Sequence, residues 1–243
     1  MNYFVYNGAS SLDFGLRIES KNVFSAPKYD VDFLSIPGRD GDLIAGSGRY
    51  PNVQITYSVY LPAKTLSELS ERITLVKSWL YGALDSYHTL TDSYDTAFYR
   101  KAVYAGKLDI EDEMNRIGVF TISFSCKPFR YSADGDVPVT FVGDNYSIDN
   151  PYPFTSKPFI RVIGTGEGSL TLTTPTKTAI WTFTDLDGYL DIDSEQMNFY
   201  KGATPKNDTV SGSGFPLLYS GPNEVLFAGD ITEVQITPRW CCL

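Results

Sequence analysis

Apolar and polar residues alternate in two rhythms along the first half of the chain. Val53, Ile55, Tyr57, Val59 and Leu61 alternate with Gln54, Thr56, Ser58 and Tyr60, the period-two pattern of a strand with one buried face. Pro62 closes that strand. Thr65 then stands three positions before Glu68 as a capping box, and Leu66, Leu69, Ile73, Val76 and Leu80 recur at alternating spacings of three and four. A helix over about 65–82 is predicted, with one apolar stripe for packing on a sheet and Gly82 as its stop.

After the helix, Phe98 to Tyr104 and Ile117 to Cys126 read as antiparallel strands, with Asp109 to Glu113 as an acidic exposed hairpin between them. Residues 1–130 therefore read as α+β, a sheet with one helix across it. Lys127-Pro128-Phe129-Arg130-Tyr131 and Asp134-Gly135-Asp136 mark a boundary, and residues 131–243 read as purely β. Phe159–Ile163, Ser169–Thr173, Ala179–Phe183, Val225–Phe227 and Val234–Ile236 are short apolar segments separated by Gly, Pro, Asp and Asn, as in a β-sandwich of roughly a hundred residues. The fold class is mainly β with one helix.

Composition narrows the function. With 42% hydrophobic and 20% charged residues the chain is an ordinary globular protein, and its 14 prolines and 20 glycines are spread rather than gathered into a linker. The net charge of −9 disfavours gripping nucleic acid through its phosphates, although an acidic wall would let DNA pass without sticking. The N-terminus lacks the pattern of a signal peptide and no run reaches the length of a membrane span, so neither export nor membrane insertion is expected. Cys126, Cys241 and Cys242 form no disulfide framework, which suits a reducing cytoplasm; the adjacent pair at the C-terminus reads as a disordered, inert tail.

Candidate chemistry is sparse. His88 is the single histidine, set among Tyr87 and Thr89, and reads as structural because triads and metal sites need ordered partners. Asp185, Asp187, Asp191 and Asp193 surround Gly188 without EF-hand spacing, and the alternation of Tyr189, Asp191 and Asp193 with Leu190 and Ile192 reads as a strand with a wet face. Glu111, Asp112 and Glu113 are consecutive and point in different directions, unlike a glycosidase pair. Gly164-Thr165-Gly166-Glu167-Gly168 lacks the Lys and Ser/Thr of a phosphate loop and reads as a turn between strands. No enzymatic activity, cofactor or metal is expected.

The remaining feature is a polar turn, Ile36-Pro37-Gly38-Arg39-Asp40-Gly41-Asp42-Leu43, between two apolar segments. Pro37 cannot donate a backbone hydrogen bond, and Gly38 and Gly41 supply the positive φ that tight turns require. It follows Phe4-Val5-Tyr6-Asn7-Gly8 and Asp13-Phe14-Gly15-Leu16. Phe124-Ser125-Cys126-Lys127-Pro128-Phe129-Arg130-Tyr131, Asn150-Pro151, Ser156-Lys157-Pro158, Val162 to Gly166, Phe215-Pro216-Leu217-Leu218, Gly221-Pro222-Asn223 and Val234 to Trp240 come later, in order. This ordered set resembles the distal tail protein (Dit) family of long-tailed bacteriophages, the baseplate hub proteins.

The resemblance implies an N-terminal belt domain that assembles into a hexameric ring, followed by a galectin-like sandwich. The ring would join the tail tube to tail-associated, fibre or receptor-binding proteins at the virion tail tip, after assembly in the host cytoplasm. DNA would pass through its centre without being specifically bound. Galectins grip sugar with a histidine, an asparagine and an arginine above a tryptophan; residues 131–243 hold no histidine, so that site does not carry over, and Trp181 reads as core. Pro37, Gly38, Arg39, Asp40, Gly41 and Asp42 are the expected assembly interface. Arg39 either pairs with Asp40 and Asp42 at a solvated loop tip or pairs across a subunit boundary. A carbohydrate-binding or adhesin module acting through the sandwich is the main competing reading; a wall hydrolase and a tail-tube subunit are the others.

Overall fold

The computed structural model describes residues 1–113, 116–143, 146–212 and 214–243, with the backbone of Asp112 and Glu113 but not their side chains. The chain divides into two compact units, Met1–Arg130 with Leu243, and Tyr131–Cys242. As expected, it is mainly β with one α-helix among the described residues. That helix is not long and apolar enough to cross a membrane.

The first unit contains β1 (Phe4–Tyr6), β2 (Ala9–Ser10), β3 (Arg17–Lys21), β4 (Val31–Leu34), β5 (Leu43–Gly46), β6 (Val53–Pro62), α1 (Leu66–Tyr81), β7 (His88–Asp92), β8 (Phe98–Tyr104) and β9 (Ile110–Glu113), and most of β10 (Ile117–Ser132). The main sheet runs β2-β1-β7-β8-β10-β6-β3, with β9 beside β10. The acidic segment Asp109–Glu113 thus contributes a strand: Ile110 to Glu113 pair with Phe120 to Ile117. β4 and β5 form a separate two-stranded sheet.

Helix α1 starts where its cap dictates. Thr65 Oγ1 accepts from Glu68 N at 3.2 Å, and the Glu68 carboxylate accepts in return from Lys64 N at 2.8 Å. Leu69, Val76 and Leu80 are buried in the core of this unit and Ile73 packs against it. Leu66, expected in the same stripe, is instead 54% exposed. Trp79 supplies what Leu66 does not: its ring stacks on Phe14 at 4.4 Å and on Phe4 at 5.7 Å, and Nε1 donates to Tyr6 O.

The second unit contains β11 (Val139–Phe141), β12 (Tyr146–Asn150), β13 (Phe159–Thr173), β14 (Thr178–Asp193), β15 (Asn198–Lys201), β16 (Thr204–Pro205), β17 (Val210–Gly212), β18 (Gly221–Thr237) and β19 (Cys241–Cys242). The short segments read from the sequence prove to be halves of long strands. Phe159–Ile163 and Ser169–Thr173 both belong to β13, and Val225–Phe227 and Val234–Ile236 both belong to β18. Gly164 to Gly168 is therefore no turn between strands but an irregularity within β13, where the pairing with β14 and β18 shifts register. Glycine is required there by close approach: a Cβ on Gly229, at φ +80°, would lie 2.6 Å from Glu167 O.

These bulges divide β13, β14 and β18 into two halves. One half pairs with β15 and β11, the other with β17 and β12. Inward residues from both halves, including Ile160 and Val162 with Leu170 and Leu172, join a single apolar cluster around Trp181. Trp181 is 1% exposed and donates Nε1 to Gly214 O at 2.7 Å, so it is core and not a platform for sugar.

Candidate assembly surface

The hairpin of β4 and β5 carries the turn singled out in the sequence. Val31 pairs with Gly46, Asp32 with Ala45, Phe33 with Ile44 and Leu34 with Leu43. Gly38 and Gly41 adopt φ of +79° and +77°, and Arg39 N donates to Ile36 O at 3.2 Å to close the turn. Pro37, Gly38, Arg39, Asp40, Gly41 and Asp42 are all exposed at the hairpin tip. No ion pair joins Arg39 to Asp40 or Asp42, so the tip charges do not neutralise one another within the subunit.

The strands below the tip were not recognised in the sequence as a surface. Because side chains alternate across a strand, Phe33 and Ile44 share one face and Leu34 and Leu43 the other. Phe33 and Ile44 are 63% and 66% exposed, and Leu34 and Leu43 are about half exposed, at 50% and 43%. A two-stranded ribbon is marginally stable alone, and one apolar on both faces has no core of its own. Each face of the ribbon therefore presents a cross-strand pair of large apolar side chains to solvent.

The base of the hairpin is firmly tied. Asp30 N donates to Arg49 O and Ser47 N to Asp30 O, while the rings of Tyr29 and Tyr50 lie 5.1 Å apart and Tyr50 meets Phe129 at 5.8 Å. Upstream, the Asn22 side chain bridges to β6, accepting from Thr56 N at 2.6 Å and donating to Gln54 O at 3.2 Å.

The other candidates resolve into structure. His88 is half-buried on β7, edge-on to Tyr6 at 5.8 Å, with Nε2 3.3 Å from Ser86 Oγ. Asp191 and Asp193 do not form a wet face: both are buried, Asp191 against Arg161 at 2.7 and 2.9 Å and Asp193 against Arg239 at 2.9 and 3.1 Å. Asp185 pairs with Lys206 at 2.6 Å and Asp187 with Lys201 at 3.0 Å, so each carboxylate of the group faces a cation. Among the described residues no group of histidine, cysteine and carboxylate side chains is arranged to hold a metal. Of the acidic trio, Glu111 is exposed on β9, and the side chains of Asp112 and Glu113 lie outside what is described. Cys241 and Cys242, expected in a disordered tail, form β19 and are buried, with Cys241 Sγ directed at Thr155 O.

Sequence reasoning also passed over two buried amides. Asn150 donates to Phe154 O and Leu218 O, and Asn223 donates to Ile148 O, Tyr219 O and Gly221 O while accepting from Tyr219 N. Their signal was positional: each stands beside a proline in a motif quoted for the family.

Residues 11–126 match the family described as phage tail protein RIFT-related domain, a span that includes the whole hairpin. No curated protein sequence matches the chain. Among solved structures, the SPP1 Dit (gp 19.1) protein, described as a paradigm of the hub adsorption apparatus in phages infecting Gram-positive bacteria, aligns with a TM-score of 0.80 at 14% identity, over 100% of both chains. Chains of the phage p2 baseplate in its activated conformation align over 97% of both chains, with TM-scores of 0.54 (10% identity, with Sr) and 0.53 (11% identity, with Ca). The likeness in fold to the SPP1 Dit protein thus runs along the full length of the chain. Residues 11–126 match the phage tail protein RIFT-related domain, and the chain as a whole has the fold of the SPP1 Dit protein.

Proposed function

We propose that this chain is the structural hub subunit of a long-tailed phage or prophage, and that it closes into a hexameric ring at the tail tip. The ring joins the tail tube to the tail-associated, fibre or receptor-binding proteins and leaves a channel for DNA. Residues 1–130 act as the belt and residues 131–243 as the peripheral galectin-like sandwich. A closed ring needs a head-to-tail interface between two different complementary patches. The hairpin is one of them: Phe33 and Ile44 on one face and Leu34 and Leu43 on the other are covered by a neighbouring subunit, and Arg39, Asp40 and Asp42 at the tip set its register through charge.

The single observation that carries this reading is the exposed, two-faced apolar hairpin inside the segment matched to the phage tail family. The test is the double variant Phe33→Ser with Ile44→Ser, compared with the native chain by light scattering after size exclusion. Loss of the oligomer with an unchanged circular dichroism spectrum is expected. An oligomer of native mass and stability would remove the hairpin from the interface.

A further inference from the structure

Arg100 occupies an inward position of β8, in line with Ala102 and Tyr104, and is 6% exposed. A guanidinium in the core must distribute five N–H donors among fixed acceptors. Its Nη2 donates to Val23 O at 3.2 Å and to Ser25 O at 3.3 Å, on the segment that leads from β3 to the hairpin. Among the described residues its Nη1 is buried without an acceptor, and so is Nε of Arg130. Both arginines line one cavity of about 20 Å³, together with Tyr57, Asp92 and Asp95.

The acceptors of that cavity have capacity to spare. Asp92 receives Tyr57 Oη at 3.1 Å and the backbone N–H groups of Tyr94 and Asp95 at 2.8 and 3.1 Å, and Asp95 receives Arg130 Nη1 at 2.6 Å. Each carboxylate offers about four acceptor sites. A cavity holds a water once it offers about 10–15 Å³ and two to four polar partners, and this one offers both. Two guanidinium and two carboxylate groups leave no net charge to retain an anion, and the carboxylates would repel one.

We propose that this cavity binds one structural water. It accepts from Arg100 Nη1 and Arg130 Nε and donates to the carboxylates of Asp92 and Asp95. Through Arg100 it ties the chain entering the hairpin, at Val23 and Ser25, to the end of β7 and to β10. The site stands independently of ring assembly.

The test is a crystal structure of the full-length native chain at atomic resolution, from crystals grown with and without bromide. The expected result is one light-atom peak about 2.7–3.2 Å from Arg100 Nη1, present in both crystals and free of bromide anomalous signal. A dry cavity, or an anomalous bromide peak at that position, would overturn the assignment. In solution, relaxation dispersion of water nuclei should count one fewer long-lived water in folded Arg100→Met than in the native protein; an equal count would also overturn it.

Discussion

Arg239 grips Asp193, 46 residues earlier in the chain, through two parallel hydrogen bonds of 2.9 and 3.1 Å. The carboxylate also accepts from the backbone N–H groups of Glu195 and Gln196, and Arg239 itself holds a φ of +54°, a left-handed conformation uncommon outside glycine. A buried charge fixed from both sides in this way costs far more to break than an exposed pair. Replacing Asp193 by Asn should destabilise the protein by about 3 kcal/mol, read as a lower denaturation midpoint with an unchanged dependence on denaturant. A loss within a few tenths of a kcal/mol would mean that the pair is dispensable.

The same pair has a pH signature. Burial pushes the Asp193 carboxyl upward, but Arg239 and the Gln196 and Glu195 N–H groups outweigh it and hold the carboxyl below its ordinary value. A depressed folded-state pKa gives stability that is fully present above the unfolded value, about 3.9, and lost as the pH falls through the folded value. Urea titrations between pH 6 and pH 2.5 should therefore show acid loss in the native chain that is shallower in Asp193→Asn. Parallel curves would assign the acid sensitivity elsewhere.

Bends in the long strands rest on glycine. Gly229 combines φ +80° with backbone of Glu167 where a Cβ would lie, so Gly229→Ala should cost about 1–3 kcal/mol, more than exposed loop glycines such as Gly214. Equal costs at the two positions in thermal unfolding would show that the close approach relaxes freely.

Much of this architecture was legible in the sequence, and the misses share one cause. Thr65, Glu68 and the spacing of Leu69, Ile73, Val76 and Leu80 located α1 because a cap and a stripe are local signals. β6 and β8 were legible because their alternation is uninterrupted. β13 and β18 were cut in two because Gly164, Gly168 and Gly229 look like turn residues, whereas their purpose is contact with strands some sixty residues away. Asp191 and Asp193 read as solvated because alternation alone does not reveal Arg161 or Arg239 across the sheet. At the hairpin, the glycines announced the turn, but the exposure of Phe33 and Ile44 is a tertiary fact: an apolar strand reads the same whether its cover comes from its own chain or from another.

Cysteine chemistry should be silent in the folded state. Cys126, Cys241 and Cys242 form no disulfide and are buried, and burial pushes the thiol of Cys126 up to about 12 and that of Cys241 up to about 11. Iodoacetamide at pH 8 should label none of the three in native protein and all three in urea, as counted by intact mass. Rapid labelling of Cys241 in the native protein would mean that the C-terminal strand opens.

Arg39 is exposed and makes no ion pair among the described residues, so Arg39→Ala should change folding stability by less than about 0.5 kcal/mol. If its charge reaches a neighbouring subunit, the variant should weaken the ring contact by about tenfold, equivalent to about 1.4 kcal/mol. Dilution series monitored by light scattering separate the two effects, and an unchanged oligomer would exclude the tip from the interface.

The most direct test of the hub reading is the solution mass of the purified native chain, by size exclusion with light scattering. A closed ring of six 27.0 kDa subunits has a mass of about 162 kDa. A single species of that mass is the predicted result. A 27.0 kDa monomer persisting at every accessible concentration would contradict a self-closing ring.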